Sequence, residues 1–414
     1  MQLSAENQMA ESEKDRKIYQ IAFLVAFSCV LQIAESLIPH PVPGLRLGLA
    51  NLPALFALIT LGFGPALEIS VLRTVLSSFM MGTFLSPAFF LSFAGALVSA
   101  LMMGLFYWLS GFHSRYRLSI IGISIIGALS SNIVQLHLAY LLLVRHRGIF
   151  VFLPYLCLGA VFTGWITGAV AGRVCRKLKD TRTQKETPGI MEPDHPIPAL
   201  NCYRPGSSFV HRLPAIVKVV SVFVLALAVL IFDNFWFYLG LFASLSLVVF
   251  LARLSPAFLY ASVKKYTFLA LTAFFLPVFF NSGTHVLVKA APFKITSEGL
   301  TTGSLFAGRI IFLILLSSLL VGTTPPREIT RALEKLLRPL RFLGISGRRV
   351  AAVLSLAWSA VPILWETVRR NIRTMDWKKA QNLRNLVPLL SELMAALYVN
   401  ADPKSSFWER VSRD

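Results

Sequence analysis

Several stretches of this chain stay apolar for about as long as a helix needs to cross a lipid bilayer. Ile18 to Ile38, Ala88 to Ser110, Leu118 to Leu143 and Phe235 to Ala252 each approach the roughly 20 residues that span a hydrocarbon core. In hydrocarbon every backbone N–H and C=O must find its partner inside the protein, so these runs are predicted to be α-helices. A β-barrel would instead show short segments of alternating polarity, and the sequence has none. The 414 residues are 55% hydrophobic and 14% charged, with a mean hydropathy of +0.66; an ordinary soluble domain carries about 25% charged residues. The expected fold class is all-α, a polytopic membrane protein.

The formal net charge of +20 does not call for nucleic acid, because Lys and Arg collect in the cytoplasmic loops of membrane proteins. The first 17 residues mix Glu, Asp and Lys ahead of a long apolar run, unlike the n- and h-regions of a cleaved signal peptide. Cys29, Cys157, Cys175 and Cys202 lack C-x-x-C spacing, so neither a disulfide framework nor a zinc site is implied. No G-x-x-x-x-G-K-[ST] is present to cradle phosphates. No paired-aspartate motif is present to hold magnesium and diphosphate. Neither an enzyme nor a cofactor is expected, and any ATP would be hydrolysed by separate chains.

From Arg173 to about Ser208 the chain turns polar, basic and proline-rich, which reads as a cytoplasmic linker. The expected units are a cytoplasmic tail (1–17), a membrane domain (18–175), the linker (176–208) and a second membrane domain (209–414). Six apolar segments precede the linker, near 18–38, 48–63, 66–82, 88–110, 118–143 and 150–172. Four follow it, near 214–232, 234–252, 267–281 and 304–322. Lys14, Arg16 and Lys17 place the N-terminus in the cytoplasm, and Arg115 and Arg117 mark another inside loop; Arg145 and Arg147 fall outside, against the rule. In the second half the loop from Asn281 to Thr302 falls outside, and the chain re-enters the cytoplasm before Thr323.

There it reads TTPPREITRALEKLLRPLRFL, residues 323 to 343. Thr324 is the expected N-cap, followed by prolines in the first turn. Ile329, Ala332, Leu333, Leu336 and Leu340 form an apolar stripe, with Arg327, Arg331 and Lys335 off it. Pro339 is expected to kink or end the helix. Such a helix can lie on the lipid surface or pack as a lever on other cytoplasmic helices. A long mixed helix follows from about Arg348 to Met375.

This stretch, with RRVAAVLSLAWSAVPILWE after it, resembles the transmembrane T component of energy-coupling factor (ECF) transporters, also labelled CbiQ-like or cobalt-transport proteins. The matching residues include Thr323, Thr324, Pro326, Glu328, Pro339, Pro362 and Glu366, and HRLPAIVKVVSVF (His211 to Phe223) resembles the family's opening element. The resemblance covers roughly 209–414 and implies about four membrane helices with coupling helices from about 324. It further implies that two Ala-Arg-Gly-like motifs dock ABC-type ATPase subunits in trans. Arg384, in AQNLRN, takes the first Arg place, with Asn385 where Gly is usual; Arg410 is the nearest candidate for the second. A guanidinium suits such docking because its donors form a rigid fork; the alternative for both is solvated cytoplasmic charge.

The run LGLANLPALFALITLGFGPALEISVLRTVLSSFMMGTFLSP, residues 47–87, resembles the Gx transporter family, also labelled heptaprenyl diphosphate synthase component I. That family is similar to the substrate-binding S components of ECF transporters, which implies a six-helix bundle over roughly 18–175. It also implies that Ala22 and Ala26, four apart on the first helix, pack against the T-like half, since small residues let helices approach closely in lipid. Polar residues inside apolar runs cost about 2.5–3.5 kcal/mol each on insertion scales when charged. Asn51, Arg73, Asn132 and Gln135 are therefore the candidate substrate-binding residues, with Arg73 facing an anionic group. The alternative pairs Arg73 with Glu68 or Glu35 and leaves the amides as interhelical bonds; His137 reads as structural. The Met-His start of cobalt and nickel S components is missing, so no transition metal is expected as substrate.

The expectation is a multi-pass subunit of the cell (inner) membrane that fuses S-like and T-like modules. It would import a small vitamin-like or isoprenoid/quinone-pathway compound. The other reading is a membrane scaffold for polyprenyl diphosphate or quinone synthesis.

Overall fold

In the computed structural model the described residues are 2–37, 48–112, 118–144, 147–181, 203–232, 234–252, 255–264, 266–280, 285–290, 293–338 and 346–374, with scattered positions from 387 to 411. The apolar runs form helices. Those of the first half are α1 (Gln2–Leu37), α2 (Leu52–Thr60), α3 (Phe63–Met81), α4 (Pro87–Phe112), α5 (Ile120–Ala139) and α6 (Leu153–Thr181). The residues before 18, expected as a cytoplasmic tail, are helical: α1 begins at Gln2 and runs on without a break into the apolar run. It is buried on every side from Ile21 to Val30, which makes it the central strut. The apolar segment near 48–63 is a 3-10 turn (Leu49–Asn51) followed by the nine-residue α2. At 1.5 Å per residue, α2 reaches about 14 Å and crosses only part of a bilayer.

Helices α5 and α6 touch backbone to backbone because α6 repeats glycine every fourth residue. A Cβ on Gly164 would lie 2.7 Å from Ile125 Cα, and one on Gly168 2.6 Å from Ile121 Cα. Lipid gives no hydrophobic drive between helices, so this close approach holds the pair together. Gly168→Ala is expected to lower the thermal midpoint of the detergent-purified chain, at about 1–3 kcal/mol for overpacking. Gly172→Ala is the control, since its Cβ would meet only Ile120 Cδ1 at 3.8 Å. Equal midpoints for the two variants would contradict this packing.

The second half holds α7 (Phe209–Arg212), α8 (Ala215–Ile231), α9 (Phe235–Ala252), α10 (Pro256–Lys264) and α11 (Thr267–Phe280). A small antiparallel hairpin, β1 (Val286–Ala290) and β2 (Phe293–Thr296), leads into α12 (Ser297–Thr323). Sequence periodicity missed the hairpin and started α12 seven residues late, at 304. Thr296 caps α12, its hydroxyl accepting from Gly299 N at 3.1 Å. Then come α13 (Pro326–Leu337) and α14 (Gly347–Thr374).

Among the described residues, six helices are long and apolar enough to cross a membrane: α1, α4, α5, α6, α12 and α14. Large side chains face outward, with Leu158, Trp236 and Phe250 at 71%, 74% and 79% exposure. Water would penalise such a surface and lipid does not. The protein is an all-α, polytopic membrane protein.

Three apolar cores join the halves. The first sets Phe23, Phe27 and Leu55 with Ala357, Leu364 and Phe407. The second sets Phe79, Phe84 and Phe89 with Val219, Leu316 and Leu320. The third sets Leu91 and Leu142 against Phe306 and Ile310.

Candidate functional site

The first half contains a polar cavity of about 50 Å³. Its walls come from α1 (Gln32, Glu35), the 3-10 turn (Asn51), α3 (Arg73, Thr74) and α4 (Ser92). On α5, Ser131, Asn132 and Gln135 lie on one helical face and complete it together with Thr163 of α6. All four predicted substrate residues, Asn51, Arg73, Asn132 and Gln135, therefore line one cavity.

Local backbone explains the placement. Gly48 has φ +71°, a left-handed turn that only glycine adopts without strain. It precedes the Leu49 amide, which donates to Glu35 Oε1 at 3.3 Å. Ser28 Oγ holds the same turn by donating to Ala50 O at 2.9 Å. Asn51 is thereby carried to Arg73, whose Nη2 donates to Asn51 Oδ1 while Nη1 donates to Gln32 Oε1 at 3.4 Å. Asn132 Nδ2 donates to Leu156 O at 3.0 Å, and Gln135 Nε2 to Ser131 Oγ at 2.9 Å. His137 lies outside the cavity, exposed and bonded to Ile133 O of its own helix.

Glu68, the first-named alternative partner of Arg73, faces elsewhere. Its Oε2 pairs with Arg349 Nη2 of α14 at 2.9 Å, tying the two halves together. Ala22 and Ala26 are both 0% exposed on α1, which packs along α14 and α3. They project to the same side as Tyr19 and Phe23, whose rings meet Trp408 and Phe407.

The helix after Thr323 is packed rather than laid on lipid: Ile329 and Ala332 are buried against the α8 and α12 core. Arg327, Arg331 and Lys335 stay exposed on the other face. The N-cap differs from expectation. Pro325 occupies that place with no side-chain bond, and Thr324 Oγ1 is buried without a hydrogen-bond partner. Thr323 Oγ1 turns back to Leu319 O at 2.7 Å. The carbonyl end of α12 is met instead by buried Lys218, whose Nζ donates to Thr323 O at 3.0 Å and His211 O at 3.1 Å. A cation suits a helix C-terminus. Pro326 opens α13, Glu328 sits in its first turn, and Pro362 and Glu366 lie within α14. Pro339, Arg384 and Arg410 fall outside the described residues.

The sequence reading missed Arg309. It is fully buried near the middle of α12, where Nε donates to Tyr238 Oη at 3.2 Å and Nη1 to Leu142 O at 3.0 Å. Leu142 belongs to a π-helical turn, Tyr140–Val144, that ends α5. The signal was present, because a lone cation within an apolar run marks a buried polar contact.

Residues 24–174 match the family described as heptaprenyl diphosphate synthase component I, and residues 206–403 match the cobalt transport protein family. The second half is similar to energy-coupling factor transporter transmembrane proteins (EcfT). That of Bacillus subtilis strain 168 is 30% identical over 210 residues, 48% of this chain and 78% of its own. That of Streptococcus equi subsp. equi is 30% identical over 211 residues, 49% of this chain and 78% of its own. The Listeria innocua protein is 28% identical over 211 residues, 49% of this chain and 80% of its own.

Proposed function

The chain belongs to the EcfT family of energy-coupling factor transporter membrane components through its C-terminal half, and on that premise we propose that it joins a substrate-binding and an energy-coupling module in one importer subunit. Residues 18–175 form the S-like module, 176–208 the cytoplasmic linker and 209–414 the T-like module. The N-terminus is cytoplasmic, in the cell (inner) membrane. ABC-type ATPases bind in trans through Arg384 and Arg410, and the substrate is a small molecule held by Asn51, Arg73, Asn132 and Gln135. Ala22 and Ala26 seat the S-like module against the coupling helices that begin near 324.

The observation that carries this reading is the pairing of a polar cavity with a first helix packed along α14. Orientation adds support. By the charge-based topology, Gly82 and Leu142 end helices at the outer side, whereas α12 enters the cytoplasm at Thr323. Yet Ser317, six residues from that end, donates to Gly82 O at 3.0 Å, and mid-helix Arg309 reaches Leu142. Under that topology both contacts put the S-like bundle toward the inner end of α12, which supports a module that reorients to release cargo.

Affinity purification of the full chain from its native membrane tests the proposal. Stoichiometric ABC-type ATPases are expected to co-elute, with at least a tenfold loss in Arg384→Ala. Undiminished ATPase binding by that variant would remove Arg384 from docking. A prenyl synthase eluting in place of ATPases would replace the importer by a biosynthetic scaffold.

A further inference from the structure

The cavity chemistry narrows the cargo further, on the premise that the cavity is the substrate site. We infer that it takes a compact polar molecule of at most one net negative charge, a zwitterion or a neutral amide, and neither a prenyl chain nor a diphosphate. Its wall carries one cation and one anion, Arg73 at 6% exposure and Glu35 at 4%. Together they sum to zero. A diphosphate brings at least two negative charges, and a desolvated charge left uncompensated is far too costly to bury.

A prenyl chain fails for a different reason. Four carboxamides line the space, Gln32, Asn51, Asn132 and Gln135, and each offers both a donor and an acceptor. An alkyl chain would strip bonding partners from them, at about 1–3 kcal/mol per buried group left unsatisfied. The volume of about 50 Å³ suits a few waters, each needing roughly 10–15 Å³ of such space. A compact ligand replaces those waters and exchanges wall-to-wall bonds for its own. Arg73, now on Asn51 and Gln32, receives a carboxylate or carbonyl oxygen; Glu35 faces an ammonium or amide N–H. Gln135, which packs over Gly95 of α4 and donates to Ser131 of its own helix, exchanges that bond for one to the cargo.

The test uses the full chain in lipid nanodiscs, incubated with a total cell metabolite extract, washed, and analysed by mass spectrometry for bound compounds. Parallel samples receive farnesyl diphosphate or inorganic pyrophosphate alone. A polar zwitterionic, neutral or singly anionic compound is expected on the wild type, reduced at least tenfold in Arg73→Ala and at least threefold in Gln135→Ala. Gln135→Ala keeps the test open should Arg73→Ala fail to fold, and neither phosphate probe is expected to bind. Retention of a diphosphate or prenyl compound that both variants lose would overturn the inferred class while keeping the pocket. An empty wild type, or ligand retained equally by both folded variants, would overturn the pocket itself.

Discussion

Arg309→Ala is expected to destabilise the purified protein by about 2–3 kcal/mol, read as a fall in thermal midpoint in detergent. Two costs combine. Arg309 is the largest fully buried side chain among the described residues, and truncating a large core residue costs about 2–5 kcal/mol. The carbonyl of Leu142 also loses its donor, at about 1–3 kcal/mol for a buried group left unsatisfied. Relief from burying a charge, about 2.5–3.5 kcal/mol on insertion scales, offsets part of that sum. Arg309→Met separates the terms by refilling most of the volume and sparing the charge without restoring the bond. It is expected to recover more than half of the loss. A methionine variant more stable than wild type would show that the arginine is a net burden in this core.

The second large effect is expected from Ala26→Trp, on the helix α1 that packs along α14 and α3. The position is fully buried within the core that holds Phe23, Ala357 and Phe407, so an indole cannot enter without moving a helix. Overpacking typically costs 1–3 kcal/mol, and more when backbone must shift. With a protease site engineered between residues 182 and 202, the cut halves of the wild type are expected to co-elute. Those of Ala26→Trp are expected to separate. Co-elution of both would mean that the other cores and the polar contacts hold the halves unaided.

These contacts also mark where sequence ceases to inform. Long apolar runs dictate helices, because lipid leaves the backbone no other partner, and α4, α5 and α6 emerged within a few residues of expectation apart from α6's extension to Thr181. The polar residues of the cavity were legible by the same physics, since burying them is costly unless they meet one another. What they meet was not. Glu68 stands five positions before Arg73 on one helix, yet its partner is Arg349, 281 residues away. Arg309 bonds a tyrosine hydroxyl 71 residues away and a backbone carbonyl, and the carbonyl carries no sequence signal at all. Thr324 obeyed the statistics of N-caps, but the two prolines shifted the helix start and left its hydroxyl buried. The nine-residue α2 looked like a full span because composition cannot distinguish a short buried helix from the end of a long one.

The proposed coupling predicts that ATP moves the first-half bundle along α12, and one distance reports that motion most directly. With the native cysteines replaced, spin labels at the exposed positions Leu141 and Leu300 follow the C-terminal end of α5 against the N-terminal end of α12. Now Leu142 sits beside Arg309, nine residues or about 14 Å from Leu300 along the helix. In inside-out membrane vesicles, adding ATP is expected to shift the label–label distance by on the order of 10 Å, and a non-hydrolysable analogue to trap one population. A single distance, unchanged by ATP in vesicles whose ATPases are active, would contradict coupled transport by this chain.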